Sequence, residues 1–179
     1  GQKQEIIIPR KTILECQHLL SDGDDPLEIS LSGNQIKLSF GDIELISKLV
    51  EGKFPDYQRV IPKGHKNTLV VGRETLQAAL QRAAILTTEK FKGVRFSLSG
   101  SKITIQSTNA EQEEAQEEIE TKYDGEPVEI GFNVTYLLDV LANIKNNEIQ
   151  ISLGDANSSA IITLPGSESF KYVVMPMRI

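Results

Sequence analysis

Ile29-Ser30-Leu31-Ser32-Gly33-Asn34-Gln35-Ile36-Lys37-Leu38 and Phe96-Ser97-Leu98-Ser99-Gly100-Ser101-Lys102-Ile103-Thr104-Ile105 are nearly one phrase. Each reads as an alternating strand, a short glycine-containing turn and a second alternating strand. Ile151-Ser152-Leu153-Gly154-Asp155 opens a third version. Upstream of each lies another shared element: Ile6-Ile7-Ile8-Pro9-Arg10-Lys11-Thr12, Leu69-Val70-Val71-Gly72-Arg73-Glu74-Thr75 and Glu129-Ile130-Gly131-Phe132-Asn133-Val134-Thr135. All three read as a short apolar strand running straight into a helix start. A supersecondary unit written three times bounds the architecture before any single residue does.

In the first copy, a strand around Glu5–Ile8 meets Pro9, which suits a first helical turn because the N–H that proline lacks would be unpaired there. The helix is predicted to reach about Leu20 and to stop at Asp22-Gly23-Asp24-Asp25-Pro26. Strands follow near Leu27–Leu31, Gln35–Phe40 and Ile43–Val50. The second copy begins at Thr68, and its helix carries Leu76, Ala79, Leu80 and Ala83 on one face. In the third, Asn133 is the predicted N-cap and Val134, Leu137, Leu138 and Leu141 form the buried stripe, with strands near Glu148–Leu153, Ala160–Leu164 and Tyr172–Met177.

A lone copy would expose its helix stripe and one sheet face, so two copies packing their helices together over their sheets is the economical arrangement. The expected fold class is α+β, built from repeated β-α-β-β-β units, two per domain. Glu51 to Pro62, with two prolines and Gly64 following, interrupts the pattern and reads as an extended connector. The expected boundaries are 1–50 for the second half of a domain, 51–66 for the connector and 67–179 for a complete two-copy domain.

Composition narrows the function. A hydrophobic content of 39% and a charged content of 25% over 179 residues describe a globular protein with room for a sizeable core. Cys16 is the lone cysteine, and with only His18 and His65 beside it there is no ligand set for zinc; a reducing, cytoplasmic setting is expected. No apolar run approaches the roughly 20 residues of a membrane helix. Of the net charge of −6, the stretch Glu111 to Glu126 holds −7, with eight acids against Lys122 alone, so the rest of the chain carries +1. Phosphate-binding loops, dinucleotide fingerprints, nucleophile elbows and His-paired cysteines are missing, and the expectation is a non-enzyme without cofactor or metal. Asp22, Asp24 and Asp25 read as turn residues, and the Glu111–Glu120 acids lack the spacing of a calcium loop.

Four motifs carry a specific resemblance: Lys53-Phe54-Pro55-Asp56-Tyr57-Gln58-Arg59-Val60, Phe91-Lys92-Gly93-Val94-Arg95, Gly131-Phe132-Asn133-Val134 and the closing Tyr172-Val173-Val174-Met175-Pro176-Met177-Arg178-Ile179. Together they resemble the bacterial DNA sliding clamp, the beta subunit of the replicative DNA polymerase III, over essentially the whole chain. The resemblance implies the DNA-clamp fold, with residues 1–50 as the second half of the central clamp domain and 67–179 as the complete C-terminal domain. It implies a processivity factor that encircles duplex DNA as a ring-forming homodimer. Without an N-terminal domain and half a central one, a chain of this extent is expected to be monomeric in dilute solution.

The same resemblance implies sites. A pocket for short linear motifs of polymerase subunits, the clamp loader and repair proteins would lie between the central and C-terminal domains. Its matching positions are Pro55, Arg59, Val60, Asn133, Tyr136, Asn157, Ser159, Val173, Met175, Pro176, Met177 and Arg178. Asn157 departs from the apolar residue expected there, and the family's Thr-Asp-Gly-His-Arg-Leu wall has no counterpart in this sequence. Arg10, Lys11, Arg73, Arg82, Lys90, Lys92 and Arg95, in or just after helices, would face DNA through weak phosphate contacts. Ile85 and Leu86, with Glu111, Glu113, Glu114 and Glu117, would form a subunit interface. Read without the resemblance, the basic residues are solvated charges, Ile85 and Leu86 are core, and the acids protect a sheet edge. The alternative function is a repeat-built protein-interaction scaffold with no DNA role, and charge on the inner helix faces separates the two.

Overall fold

Helix stripes and strand alternation in the second and third copies of the repeat become buried faces, whereas the alternating strand Glu28–Ser32 of the first copy is exposed throughout. The computed structural model describes residues 4–20, 26–53, 61–65, 67–123 and 125–179, with backbone alone at 168 and 170. The chain divides into two units, Gly1–Tyr57 and Gln58–Ile179.

Among the described residues, unit Gly1–Tyr57 contains α1 (Arg10–Leu19) and the three-stranded antiparallel sheet β1 (Glu28–Ser32), β2 (Gln35–Phe40) and β3 (Ile43–Lys48). Gly33 turns β1 into β2 at φ 57°, a left-handed conformation that favours glycine. Cys16, Ile36 and Leu38 are the buried centre, and the Thr12 and Ser47 hydroxyls lie 2.6 Å apart, tying helix to sheet. The strand expected at Glu5–Ile8 is not formed; this segment is irregular, and the Ile7 carbonyl accepts the Val50 N–H at 2.9 Å. The other two copies supply the reason, because their leading strands pair with the sheet of a second copy and this unit holds one.

In Gln58–Ile179 the second copy is β4 (Asn67–Gly72), α2 (Arg73–Ala84), β5 (Gly93–Ser99), β6 (Lys102–Thr108) and β7 (Glu114–Glu120). The third is β8 (Val128–Asn133), α3 (Val134–Ala142), β9 (Glu148–Leu153), β10 (Ala160–Leu164) and β11 (Ser167–Val174). The last strand starts earlier and ends earlier than the expected Tyr172–Met177. Neither sheet belongs to one copy: the orders are β11-β10-β9-β4 and β7-β6-β5-β8, so each copy lends its leading strand to the other. Both loans use the same joint. The first helical N–H continues the ladder, Arg73 to the Asn147 carbonyl at 2.8 Å and Val134 to the Lys92 carbonyl at 2.9 Å.

The core lies between the two helices and the inner faces of the two sheets. Leu80, Ala83, Val94, Ile103, Ile105, Leu141 and Ile149 are fully buried there. Each large aliphatic side chain so buried contributes about 1.5–3 kcal/mol. Ala79 and Ala83 present small side chains in the buried stripe where α2 packs on α3. Phe96 of β5 and Phe132 of β8 meet edge to face, centroids 5.5 Å apart. The buried Ser107 hydroxyl donates to the Ala83 carbonyl at 2.7 Å, satisfying a carbonyl that the end of α2 leaves open.

Candidate functional site

The segment after β11 crosses from one sheet to the other. Met177 N–H donates to the Gly131 carbonyl at 2.8 Å, adding a single bridge to the free edge of β8. At Gly131 the crossing leaves no room for a side chain: a Cβ there would sit 2.4 Å from the Met177 carbonyl oxygen and 2.7 Å from Ile179, while one on Gly93 would sit 3.2 Å from Ile179, a tight contact with a flexible side chain. Both glycines fall in strands, where an isolated glycine marks close approach of another backbone. The Phe91–Arg95 and Gly131–Val134 motifs contain that signal.

This crossing gathers most of the residues expected to take a peptide. Ala160 pairs with Val174, so Ser159 and Met175 are the next positions outward on neighbouring strands. Val173 pairs with Ile161 on the same hairpin. Asn133 and Tyr136 stand at the β8–α3 joint, two and five residues beyond the Gly131 that holds Met177. The Asn133 side-chain oxygen accepts the Thr135 N–H at 2.9 Å, so the residue caps α3 as predicted and keeps its amide N–H groups for other partners. Tyr136 is 60% exposed and Met175 62%, with Met177 and Ile179 also exposed. Among the described residues of Gln58–Ile179, the other exposed large hydrophobics are Ile85 and Phe91. Pro55, Arg59 and Val60 lie outside the described residues.

Asn157 sits in the β9–β10 loop, which is organised from within and from without. The Asp155 carboxylate accepts the Asn157 N–H at 2.9 Å and the Ser158 hydroxyl at 2.8 Å. The Ser158 hydroxyl, then the Asn157 amide, hold the Asp155 carboxyl below its usual range. From outside, the His65 imidazole Nε2 lies 2.8 Å from the Ser159 carbonyl oxygen. Sequence reasoning considers His65 only as a metal ligand, and nothing periodic marks it for this contact.

The interface candidates also converge. Ile85, just past α2, is 78% exposed and so is not core, while Leu86 is half-buried. β7 is a sheet edge against which α2 packs. Along it Glu114, Glu118 and Glu120 point outward, whereas Glu117 alternates to the helix side and takes a two-pronged bond from Arg82, 2.9 and 2.8 Å. Arg82 holds the Glu117 carboxyl below the usual carboxylate range. Glu111 and Glu113 precede the strand, in a turn closed by Asn109.

The basic candidates separate. Arg10 and Lys11 begin α1, and with Lys90, Lys92 and Arg95 they make no ion pair among the described residues. Arg73 is largely engaged, donating to the Asn146 carbonyl, Gln77 and Glu74, each at 3.0 Å, and Arg82 is committed to Glu117. Arg95 corrects the expectation for its position. On β5 it alternates with the buried Val94 and Phe96, and it lines a 180 Å³ cavity with Gln106 and Gln116, so it faces away from the helices. Following a helix in sequence does not place a strand residue on the helix side.

Interleaved β-α-β-β-β copies with paired helices over two sheets define the DNA-clamp class of protein. A family model for the C-terminal domain of the DNA polymerase III beta subunit matches residues 58–178, and one for its central domain matches 1–56. The chain belongs to the DNA polymerase III beta subunit family. It is 46% identical over 177 residues to the beta sliding clamp of Pseudomonas putida, covering 99% of this chain and 48% of that protein. The DNA polymerase III beta subunit of Pseudomonas aeruginosa superposes with a TM-score of 0.94 at 45% identity, over 100% of this chain and 49% of that one. A sliding clamp from the same organism, solved bound to griselimycin, gives 0.89 at 46% identity over 97% and 47%. The chain spans about half the length of the curated relatives it matches.

Proposed function

We propose that this chain acts as part of a processivity sliding clamp, non-catalytic, with its C-terminal domain docking short linear motifs of polymerases, the clamp loader and repair proteins. In this reading residues 1–50 are the second half of the central domain, 51–66 a connector and 67–179 the complete C-terminal domain. The observation that carries it is the exposed apolar group Tyr136, Met175 and Met177 at a crossing built by two glycines, in a member of the beta subunit family. Val173 and Pro176 extend this wall, and Asn133 and Arg178 offer donors for a peptide backbone. Burying two or three apolar side chains contributes about 1.5–3 kcal/mol each before ordering costs, consistent with micromolar binding.

Duplex DNA would be held topologically. Among the described residues, the three helices carry Arg10, Lys11, Arg73 and Arg82 against Glu15, Glu74 and Asp139, a small positive excess of which Arg73 and Arg82 are already paired. So little charge suits sliding better than tight binding. Ile85, Leu86 and the β7 edge would meet a second protomer, their acids guiding approach. Titrating a short labelled peptide that carries a glutamine and ends in leucine-phenylalanine, followed by NMR, tests the docking site. Shifts should centre on Tyr136, Val173 and Met175, and Met175→Ala should weaken binding about tenfold. Shifts elsewhere, or an unchanged affinity in that variant, would reject it.

A further inference from the structure

We propose that His65 is a positioning residue of this docking site: its imidazole fixes the Asp155–Ser159 loop so that Asn157 and Ser159 stand beside Met175. The proposal rests on the peptide-site reading above. The loop between β9 and β10 has two fasteners. Asp155 closes its first part internally, through the Asn157 N–H and the Ser158 hydroxyl, and the Ser158 N–H returns to the Asp155 carbonyl at 3.2 Å. Ser159 is left outside that turn, and its carbonyl is met by His65 Nε2 at 2.8 Å from a segment 94 residues earlier. A carbonyl can only accept, so the ring presents Nε2–H, either as that neutral tautomer or as the cation.

The ring has a made space. It lies against Gly154, where a Cβ would come within 3.0 Å of both Cε1 and Nδ1. Its position near Asp155 is also felt electrostatically, as a minor favourable contribution to the carboxylate. Ser159 is where the contact matters, since it stands one position outward from the Ala160–Val174 pair, as Met175 does on the other side of the hairpin. Releasing its carbonyl frees the loop end on which Asn157 sits, and a peptide must then order that loop as it binds.

The test is a pair of variants, His65→Ala and His65→Gln. Glutamine carries an N–H the same number of bonds from the backbone as Nε2 and can renew the contact. Losing one net hydrogen bond corresponds to about a fivefold change. His65→Ala should weaken the labelled glutamine-containing peptide by about that factor, and His65→Gln should recover most of it. Equal affinity in all three proteins overturns the proposal, as does equal weakening in both variants, which would assign His65 to packing on Gly154 alone. Amide exchange of Asn157 and Ser158 without peptide separates the two readings. Faster exchange in His65→Ala, reversed in His65→Gln, is expected. Unchanged exchange defeats the role of His65 even if the peptide binds, and a wild-type protein that ignores the peptide defeats the docking site itself.

Discussion

Gly131→Ala puts a methyl group where the structure has no room to spare. The new Cβ would lie 2.4 Å from the Met177 carbonyl oxygen, a backbone atom, and 2.7 Å from the Ile179 side chain. Something must move, and the choice is between β8, buried through Ile130 and Phe132, and the crossing segment, which is held far less firmly. That segment is anchored by the Met177–Gly131 hydrogen bond, about 1 kcal/mol net, and by partial burial of Met177 and Ile179, about 1 kcal/mol each. Release therefore bounds the loss at about 3 kcal/mol, within the usual range for overpacking. The expected result is a urea midpoint lowered by the equivalent of about 1–3 kcal/mol, with resonances of Met175–Ile179 shifted toward those of a free chain and the core spectrum unchanged. Peptide affinity should fall with them. A variant of wild-type stability whose Met177 and Ile179 resonances are unmoved would refute the reasoning that glycine at this position admits the crossing.

Gly93→Ala should be milder, under about 1 kcal/mol, because its Cβ would meet the flexible ends of Ile179 and Met177 at 3.2 and 3.6 Å rather than backbone; a loss equal to that of Gly131→Ala would contradict this. Glu117→Gln should destabilise at neutral pH and not in strong acid. The folded carboxyl is depressed by Arg82, so its contribution is present above the ordinary value of about 4.3 and disappears as pH falls through the lower folded value. Urea unfolding at about pH 7 and about pH 3 checks it, an equal gap at both being the adverse outcome. Linear duplex DNA should show no measurable binding to this chain at physiological salt. Submicromolar affinity that survives elevated salt in a fluorescence titration would replace the sliding reading with a true DNA-binding surface.

Local periodicity is readable in this sequence and partnership is not. Leu76, Ala79, Leu80 and Ala83 are buried as the 3.6-residue spacing requires, and β5, β6 and β9 alternate as their period of two demands. The exchange of β4 and β8 leaves no trace in the sequence, because a leading strand has the same apolar pattern whichever sheet it joins. Arg95 fails for a related reason: adjacency to a helix suggests an orientation that the strand period then overrules. Asn133 is legible as a cap because capping depends on residues two apart, and the structure adds that the cap already occupies its side-chain oxygen. The role of His65 is hidden, since its partner is a main-chain carbonyl 94 residues away and any residue type supplies one. Glu117 differs from its acidic neighbours only in parity along β7, which becomes visible once the strand's start at Glu114 is known.

The internal repeat builds the same joint twice in this unit, and the two joints differ in what they expose. The joint at Gly131 has a counterpart at Val70, three residues before α2 as Gly131 is three before α3, and there too a segment following the opposite edge strand forms a single bridge, to Lys122. Thr121 reinforces it, its hydroxyl donating to the Val70 carbonyl at 2.9 Å. What differs is the lining. Glu148 occupies the position equivalent to Gly93, opening the strand after the helix, and Val70 that of Gly131. The resulting open cleft of about 930 Å³ is lined by Lys102, Glu120, Lys122 and Glu148. The bridge at Val70 therefore forms beside side chains where the other copy has glycine, and charged groups line this cleft where the other joint has exposed methionines. At the third copy, two missing Cβ atoms let an apolar segment lie across the sheet edge with its methionines exposed. The duplication thus supplies the scaffold twice, and the third joint is distinguished by the two glycines packed under Met177 and Ile179 and by the methionines that its crossing segment exposes.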